Sequence, residues 1–277
     1  MSTNTKIFQI YFKEELKQHL DPEFTPLDNT ANPRPDLREW YNWDQEHEGI
    51  LEQNLDYWGF VSWKFKEKTG LHGKQALDFI EKNPGHDVYL FNPCILNEAV
   101  FANNWEQGDL HHPNISGIGN DFLKKLGYKD VDVKLMMLDR SRTVFANYVI
   151  GNRKFWSGFM DFSRKLFTEA EKDSTFNEDV FGEGKSQYAF DKTLPNFTFL
   201  IERLIPTYLE LEELDSIGYT HTHDTVPDKY RPIFDEIIAL SNLKIAINDY
   251  ESDELYDIWN YFRHAFLQRN PGILGLE

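Results

Sequence analysis

Short runs of strand-like residues alternate with stretches of helical spacing along most of the chain, and this alternation constrains the fold more than any other feature. Lys6-Ile7-Phe8-Gln9-Ile10-Tyr11-Phe12 is β-branched and aromatic, and residues 57–65 have the same character. Residues 86–93, 131–138 and 145–150 are further apolar runs that read as strands. Between them, apolar residues recur at helical spacing over 36–55, 73–81, 96–106, 115–126 and 153–167, and later over 197–214, 232–246 and 254–267. Strands interleaved with helices, with no block of strands alone, place the chain in the α/β class. Residues 168–194 are polar and contain glycine, and read as a long surface excursion. No internal repeat or low-complexity linker divides the 277 residues, a length that suits one domain.

Composition narrows the partners. With 46 acidic against 29 basic side chains, the net charge of -17 opposes a phosphate backbone or an anionic membrane. A small phosphorylated ligand in a local basic pocket remains compatible, above all with a divalent cation as bridge. The single cysteine, Cys94, excludes an internal disulfide framework and a Cys-rich metal site. No apolar run reaches the roughly 18 residues of a membrane span, and the N-terminal residues lack a signal-peptide core. The expected location is cytoplasmic.

The motif scan excludes several enzyme classes. The chain has no phosphate-binding loop ending in Gly-Lys-Ser/Thr, no Gly-x-Gly-x-x-Gly after the first strand, no His-Glu-x-x-His and no Gly-x-Ser-x-Gly. Four polar clusters remain. Asp87 opens an apolar strand, either as an oxygen ligand for a cation that neutralises a diphosphate or as a turn cap. Asp139 follows the run 131–138, where open α/β sheets bind ligands, and its neighbours Arg140 and Arg142 either pair with it at the surface or reach phosphate oxygens. His221, His223 and Asp224 lie together, as a metal or phosphate contact or as plain surface groups. Trp105-Glu106-Gln107-Gly108-Asp109-Leu110-His111-His112 combines an aromatic ring with acids and imidazoles, the chemistry of a sugar site. Its Glu106, Asp109 and His111 are candidate bases or hydroxyl binders, unless this is a surface loop around a core Trp105. Lys64, in the aromatic run 57–65, is placed to meet a ligand phosphate.

Asp87-Val88-Tyr89-Leu90-Phe91-Asn92-Pro93 and Asn147-Tyr148-Val149-Ile150-Gly151-Asn152-Arg153-Lys154-Phe155-Trp156 together resemble motifs of bacterial polysaccharide glycosyltransferases of the GT-A type. The resemblance covers residues 6–165 in style. It implies a single GT-A-like domain over 1–277, an α/β/α nucleotide-binding sandwich with a mainly helical extension over 168–277. It implies transfer of a sugar from a nucleotide-sugar, expected to be a UDP-sugar, to a capsule, lipopolysaccharide or other surface-glycan acceptor. Gln9, Tyr11, Lys64, Asp87, Asp139, Arg140 and Asn147 would then contact the nucleotide-sugar. A manganese or magnesium ion would be held by Asp87 and His223, with His221 as alternate to the latter, and Glu106, Asp109 or His111 would serve an inverting mechanism as base. The family's Asp-x-Asp is absent, since His86-Asp87-Val88-Tyr89 carries one carboxylate, and Asp139 is the other candidate for the acidic position. A non-catalytic carbohydrate- or protein-binding module is the alternative from another class; a scaffold protein and a metal hydrolase are further ones.

Overall fold

The computed structural model describes residues 3–182, 186–189 and 192–276. The chain begins with β1 (Thr5–Tyr11), β2 (Thr25–Asp28), α1 (Arg38–Leu51) and β3 (Tyr57–Ser62). Then come α2 (Phe65–Thr69), α3 (Gly73–Lys82) and β4 (Val88–Leu90). Three helices, α4 (Ile95–Val100), α5 (Asn104–His111) and α6 (Ile115–Lys125), lead to β5 (Val149–Gly151). Next are α7 (Arg153–Lys172), α8 (Ser174–Phe181), the small hairpin β6 (Ser186–Ala189) and β7 (Lys192–Leu194), and α9 (Asn196–Leu211). The last elements are β8 (Ser216–Gly218), α10 (Phe234–Tyr250) and α11 (Asp253–Arg269).

Six strands form one mixed sheet in the order β2-β1-β3-β5-β4-β8. Only β5 runs against the rest, pairing antiparallel with both β3 and β4. Period-two alternation decides which side chains face which layer. Phe8, Ile10, Trp58, Phe60, Val88, Leu90 and Val149 point into a core shared with α1, α7 and α9. Their sequence neighbours Ile7, Tyr57, Val61, Tyr89 and Ile150 pack on the opposite face against residues of α2 and α3. Helices thus cover both faces, and the class is the α/β expected. A third apolar cluster joins α4, α10 and α11 around Trp259 and Phe266. The close approach of β5 to β3 needs Gly59, because a Cβ there would lie 2.1 Å from the Val149 carbonyl oxygen.

Four expectations change. Residues 131–138 are not a strand: a short 3-10 turn, Val133–Leu135, replaces it. Asn103 takes the place of a neighbouring strand, its Nδ2 donating to the carbonyls of Val133 (3.1 Å) and Met136 (2.6 Å). Of 145–150, only the end is strand, because Ala146 and Asn147 both have positive φ, 59° and 58°. The helix expected over 96–106 is two, since Asn103 caps a new one by accepting from Trp105 N and Glu106 N. The polar stretch 168–194 is largely structured: α7 runs to Lys172, and α8 buries Phe176 and Val180. The region beyond 168 is mainly helical, yet it also supplies β8, paired parallel to β4.

Candidate functional site at the carboxyl edge of the sheet

Parallel strands direct their C-terminal ends to one edge, where open α/β sheets leave a crevice for ligands. Here that edge carries the residues after Tyr11, Ser62, Leu90 and Gly218, together with the segment entering the reversed β5. Residues 143–148 cross it, and side chains from separate elements fix their backbone. Asn104 Nδ2 donates to Val144 O at 2.9 Å, Phe145 N donates to Asn92 Oδ1 at 3.3 Å, and Ala146 N donates to Glu202 Oε1 at 2.5 Å. This bracing holds two successive non-glycine residues in the left-handed region, a conformation costing about 1–2 kcal/mol per residue and concentrated at functional sites. Asn147 is buried, and its Oδ1 has no hydrogen-bond partner among the described residues.

Tyr148 follows immediately, and its hydroxyl lies 2.5 Å from Ser62 Oγ at the end of β3. Burial pushes the Tyr148 phenol well above its ordinary pKa, with smaller contributions from the charges of Glu39 and Glu67, so it remains a donor. Lys68 Nζ stands 5.9 Å from the Tyr148 ring centroid, with no ion pair among the described residues. Lys64 is held by Glu67 at 3.2 Å and lies over the Trp63 ring. Ser62 and Lys68 meet at Tyr148, and Asn147 and Glu202 adjoin them along the 143–148 backbone, which brings to this edge two hydroxyls, an ammonium without an ion pair among the described residues, an unsatisfied amide oxygen and a carboxylate. It can receive hydroxyl groups and offset negative charge.

Of the residues singled out from sequence, Asn147 and Lys64 lie at this edge, as do Tyr11 at the end of β1 and Arg140 and His221 around the end of β8. Gln9 and Tyr11 belong to the same sheet, but Gln9 is buried, donating to Ser62 O at 3.3 Å and accepting from Asp21 N at 2.7 Å. Tyr11 is buried too, with the Lys17 ammonium 5.3 Å from its ring centroid. Asp87 sits at the opposite edge, before β4. Burial alone would raise its pKa, but bonds from Lys154 (2.9 Å), Asn152 (2.8 Å) and Asp215 N more than reverse this and hold the carboxyl below its usual range. This is the turn cap rather than a ligand-facing acid. Asp139 follows a turn rather than a strand; it is buried, accepting from Ser141 N and Oγ and from Asn248 Nδ2. Arg140 donates to Asn242 Oδ1 at 2.7 Å.

The expected bases are engaged elsewhere. Glu106 accepts from Ala102 N and pairs with Arg263 at 3.0 Å. Asp109 accepts from Ser116 N and Oγ and pairs with Lys134 at 3.1 Å. His111 ends α5 exposed, its pKa lowered by desolvation and by Arg203. Trp105 is fully buried, donating to Thr207 Oγ1, and offers no sugar platform. Among the described residues no three His, Cys, Asp or Glu side chains group to hold a metal. The expected pair separates: Asp87 is bound at the far edge, and exposed His223 pairs with Asp235 at 3.0 Å. His221 is buried, its Nδ1 3.1 Å from Thr225 O. This donor set does not fit a metal at Asp87 and His223.

Sequence reasoning passed over Glu202 and Lys68. The signal for Glu202 was present: Glu202-Arg203 is a charged pair inside the otherwise apolar run of α9, and Arg203 is buried. Lys68 carried none.

No protein-family model matches the sequence, and no curated protein matches it. Among solved structures, the chain is similar to the apo form of WbbM, a bifunctional glycosyltransferase, at 13% identity and a TM-score of 0.44. That likeness covers 78% of this chain and 44% of the other, so the chain spans less than half of that protein's length. No helix among the described residues is long and apolar enough to cross a membrane.

Proposed function

We propose that this protein is a glycosyltransferase that binds a nucleotide-sugar at the carboxyl edge of its sheet and transfers the sugar to a hydroxyl of a glycan. The observation that carries the reading is Asn147: a buried, unpartnered amide oxygen, held in a left-handed backbone at the edge where α/β sheets take ligands. An acceptor fixed there selects a ligand rich in donors, and a sugar is such a ligand. Lys68, with Lys64 beside it, would offset the charge growing on the leaving diphosphate, the kind of electrostatic stabilisation that contributes most to such steps. Glu202 is the carboxylate at this edge; it accepts from Ala146 N and its other oxygen lies 3.6 Å from the buried Arg203, looser than the 3.0 Å pair of Glu106, and it would take the acceptor proton if the reaction inverts. Tyr148 and Ser62 would orient the donor through their hydroxyls. The donor is proposed to be a UDP-sugar, the acceptor a bacterial surface glycan such as capsule or lipopolysaccharide, and the location cytoplasmic.

Thermal unfolding against UDP, GDP, CMP and UDP-sugars, each with manganese, magnesium or EDTA, tests this. One nucleotide class should raise Tm by mass action, and Asn147→Gly, which keeps the left-handed backbone, should lose the rise. A flat response to every nucleotide would overturn the reading.

A further inference from the structure

A second recess lies beside this site, along β8 and under α10. Its wide part, about 430 Å³, lies between Phe79 and Asn83 of the α3 end and Ile245 and Asp249 of α10. Its narrow part, about 20 Å³, reaches inward to Asn92, Glu98 and Ser241. Arg140, Gly218 and Thr220 line both, so the two are one groove with a deep slot. The wide part has the volume of a small-ligand pocket, and the slot admits one water-sized group.

The chemistry of the slot is specific. Glu98 is buried with its side chain 4% exposed, and its Oε1 has no hydrogen-bond partner among the described residues. Lys244, fully buried behind it, stands 3.6 Å away and donates instead to the carbonyls of Glu98 and Phe101. Burial raises the pKa of the Glu98 carboxyl despite the Lys244 ammonium and the Ser241 hydroxyl, and a group that donates one hydrogen bond into the slot would satisfy the oxygen left without one. Charge then decides the class of ligand. Burial pushes the Glu98 carboxyl up and the Lys244 ammonium down, so neither counts as a full charge, and the remaining acids Asp139 and Asp249 outnumber Arg140, which disfavours an anion. Arg140 faces both parts and disfavours a cation.

We infer that this groove binds an uncharged sugar, its ring in the wide part and one hydroxyl in the slot, donating to Glu98 Oε1. Asn92 joins the groove to the transfer site, because the same side chain that borders the slot accepts from Phe145 N. On the transferase reading, on which this last step rests, the sugar is the acceptor, and the acceptor class is neutral rather than a uronic acid or a phosphorylated sugar.

Saturation-transfer NMR with the methyl glycosides of glucose, galactose, mannose, rhamnose and N-acetylglucosamine, and with glucuronate, tests the groove on the whole chain. At least one neutral glycoside should receive saturation, and glucuronate should not. Thr220→Trp, an exposed position on the wall, should cut the signal at least fivefold while leaving Tm unchanged. Asp249→Trp on the α10 wall serves the same purpose if the first variant does not fold. Among deoxy analogues of the best ligand, one position should lose binding at least tenfold, marking the hydroxyl in the slot. No signal from any neutral glycoside, a signal that survives both variants, or equal binding of all deoxy analogues overturns the inference. The nucleotide response is read in parallel: its absence with glycoside binding intact defeats the transferase reading alone.

Discussion

The hydroxyl of Tyr148 meets Ser62 Oγ at 2.5 Å across the junction of β3 and β5. These strands run in opposite directions, so the contact ties the end of one to the beginning of the other at the carboxyl edge of the sheet. Tyr148→Phe removes this bond while keeping the ring among Phe65 and Lys68. The expected loss is about 1 kcal/mol in urea unfolding, since a modest net hydrogen bond disappears, together with a weakened nucleotide response. A variant with unchanged nucleotide response would remove Tyr148 from the site.

Ala146 offers a direct measure of stored strain. Alanine has no side-chain hydrogen bond to compensate a φ of 59°. Ala146→Gly should therefore stabilise the fold by about 0.5–1 kcal/mol, because relief of the left-handed penalty exceeds the added freedom of the unfolded chain. Turnover should fall if the strain positions Asn147. Equilibrium unfolding and initial rates on the same preparation separate the two effects.

Much of the architecture was legible from sequence, and its failures share a cause. β1, β3, α1, α3 and α6 lie where periodicity puts them, because each buries a face whose spacing matches its own geometry. β2 and β8 were hidden. β2 carries Pro26, which an edge strand tolerates, and β8 is three residues whose partner lies more than a hundred positions earlier. The run 131–138 is as apolar as a strand, but Asn103 supplies its hydrogen bonds and the ladder never forms. Of the candidate site, Asn147 and Lys64 were legible in the sequence, with Tyr11, Arg140 and His221 at the same edge. Asp87 and Glu106 look alike in sequence to a ligand-facing acid, and only their partners, Lys154 and Arg263, show otherwise.

Glu202, the proposed proton acceptor, also accepts from the backbone N of Ala146. Glu202→Gln keeps an oxygen for Ala146 N and removes the charge. Transfer should drop at least 100-fold with nucleotide binding unchanged, as expected for loss of a general base. Equal loss of binding and rate would instead assign Glu202 to positioning the 143–148 loop.

His221 makes stability fall on acidification. Burial lowers its pKa to about 4, only partly offset by the carbonyls of Thr225 and Asn92. The unfolded chain titrates near 6.5, so between these values unfolding takes up a proton that the folded protein refuses. The stability tied to neutral His221 is therefore full above about pH 6.5 and is lost as pH falls toward 4, of order 3 kcal/mol in all. Urea midpoints measured across this range should decline, and His221→Gln should flatten the slope.

Asp87 separates fold from function. Asp87→Ala leaves Lys154 and Asn152 without their acceptor, and should cost about 1–3 kcal/mol in urea. The nucleotide response per folded molecule should be unchanged. A response lost at full stability would bring the metal reading back to this edge.

The reversed strand β5 has a consequence for synthesis of the chain. Residues 57–62 and 88–90 leave the ribosome well before 149–151, yet they do not touch each other as neighbours and wait for β5 to fill the gap between them. Until then the nascent protein holds the three-stranded piece β2-β1-β3 with an open border at β3, and β4 as a lone strand whose partners β5 and β8 are both still to come, the situation that invites pairing with other chains. A fragment ending before residue 149 should therefore be insoluble, whereas the chain through α7, which seals the gap and covers its face, passes the most aggregation-prone point of its birth.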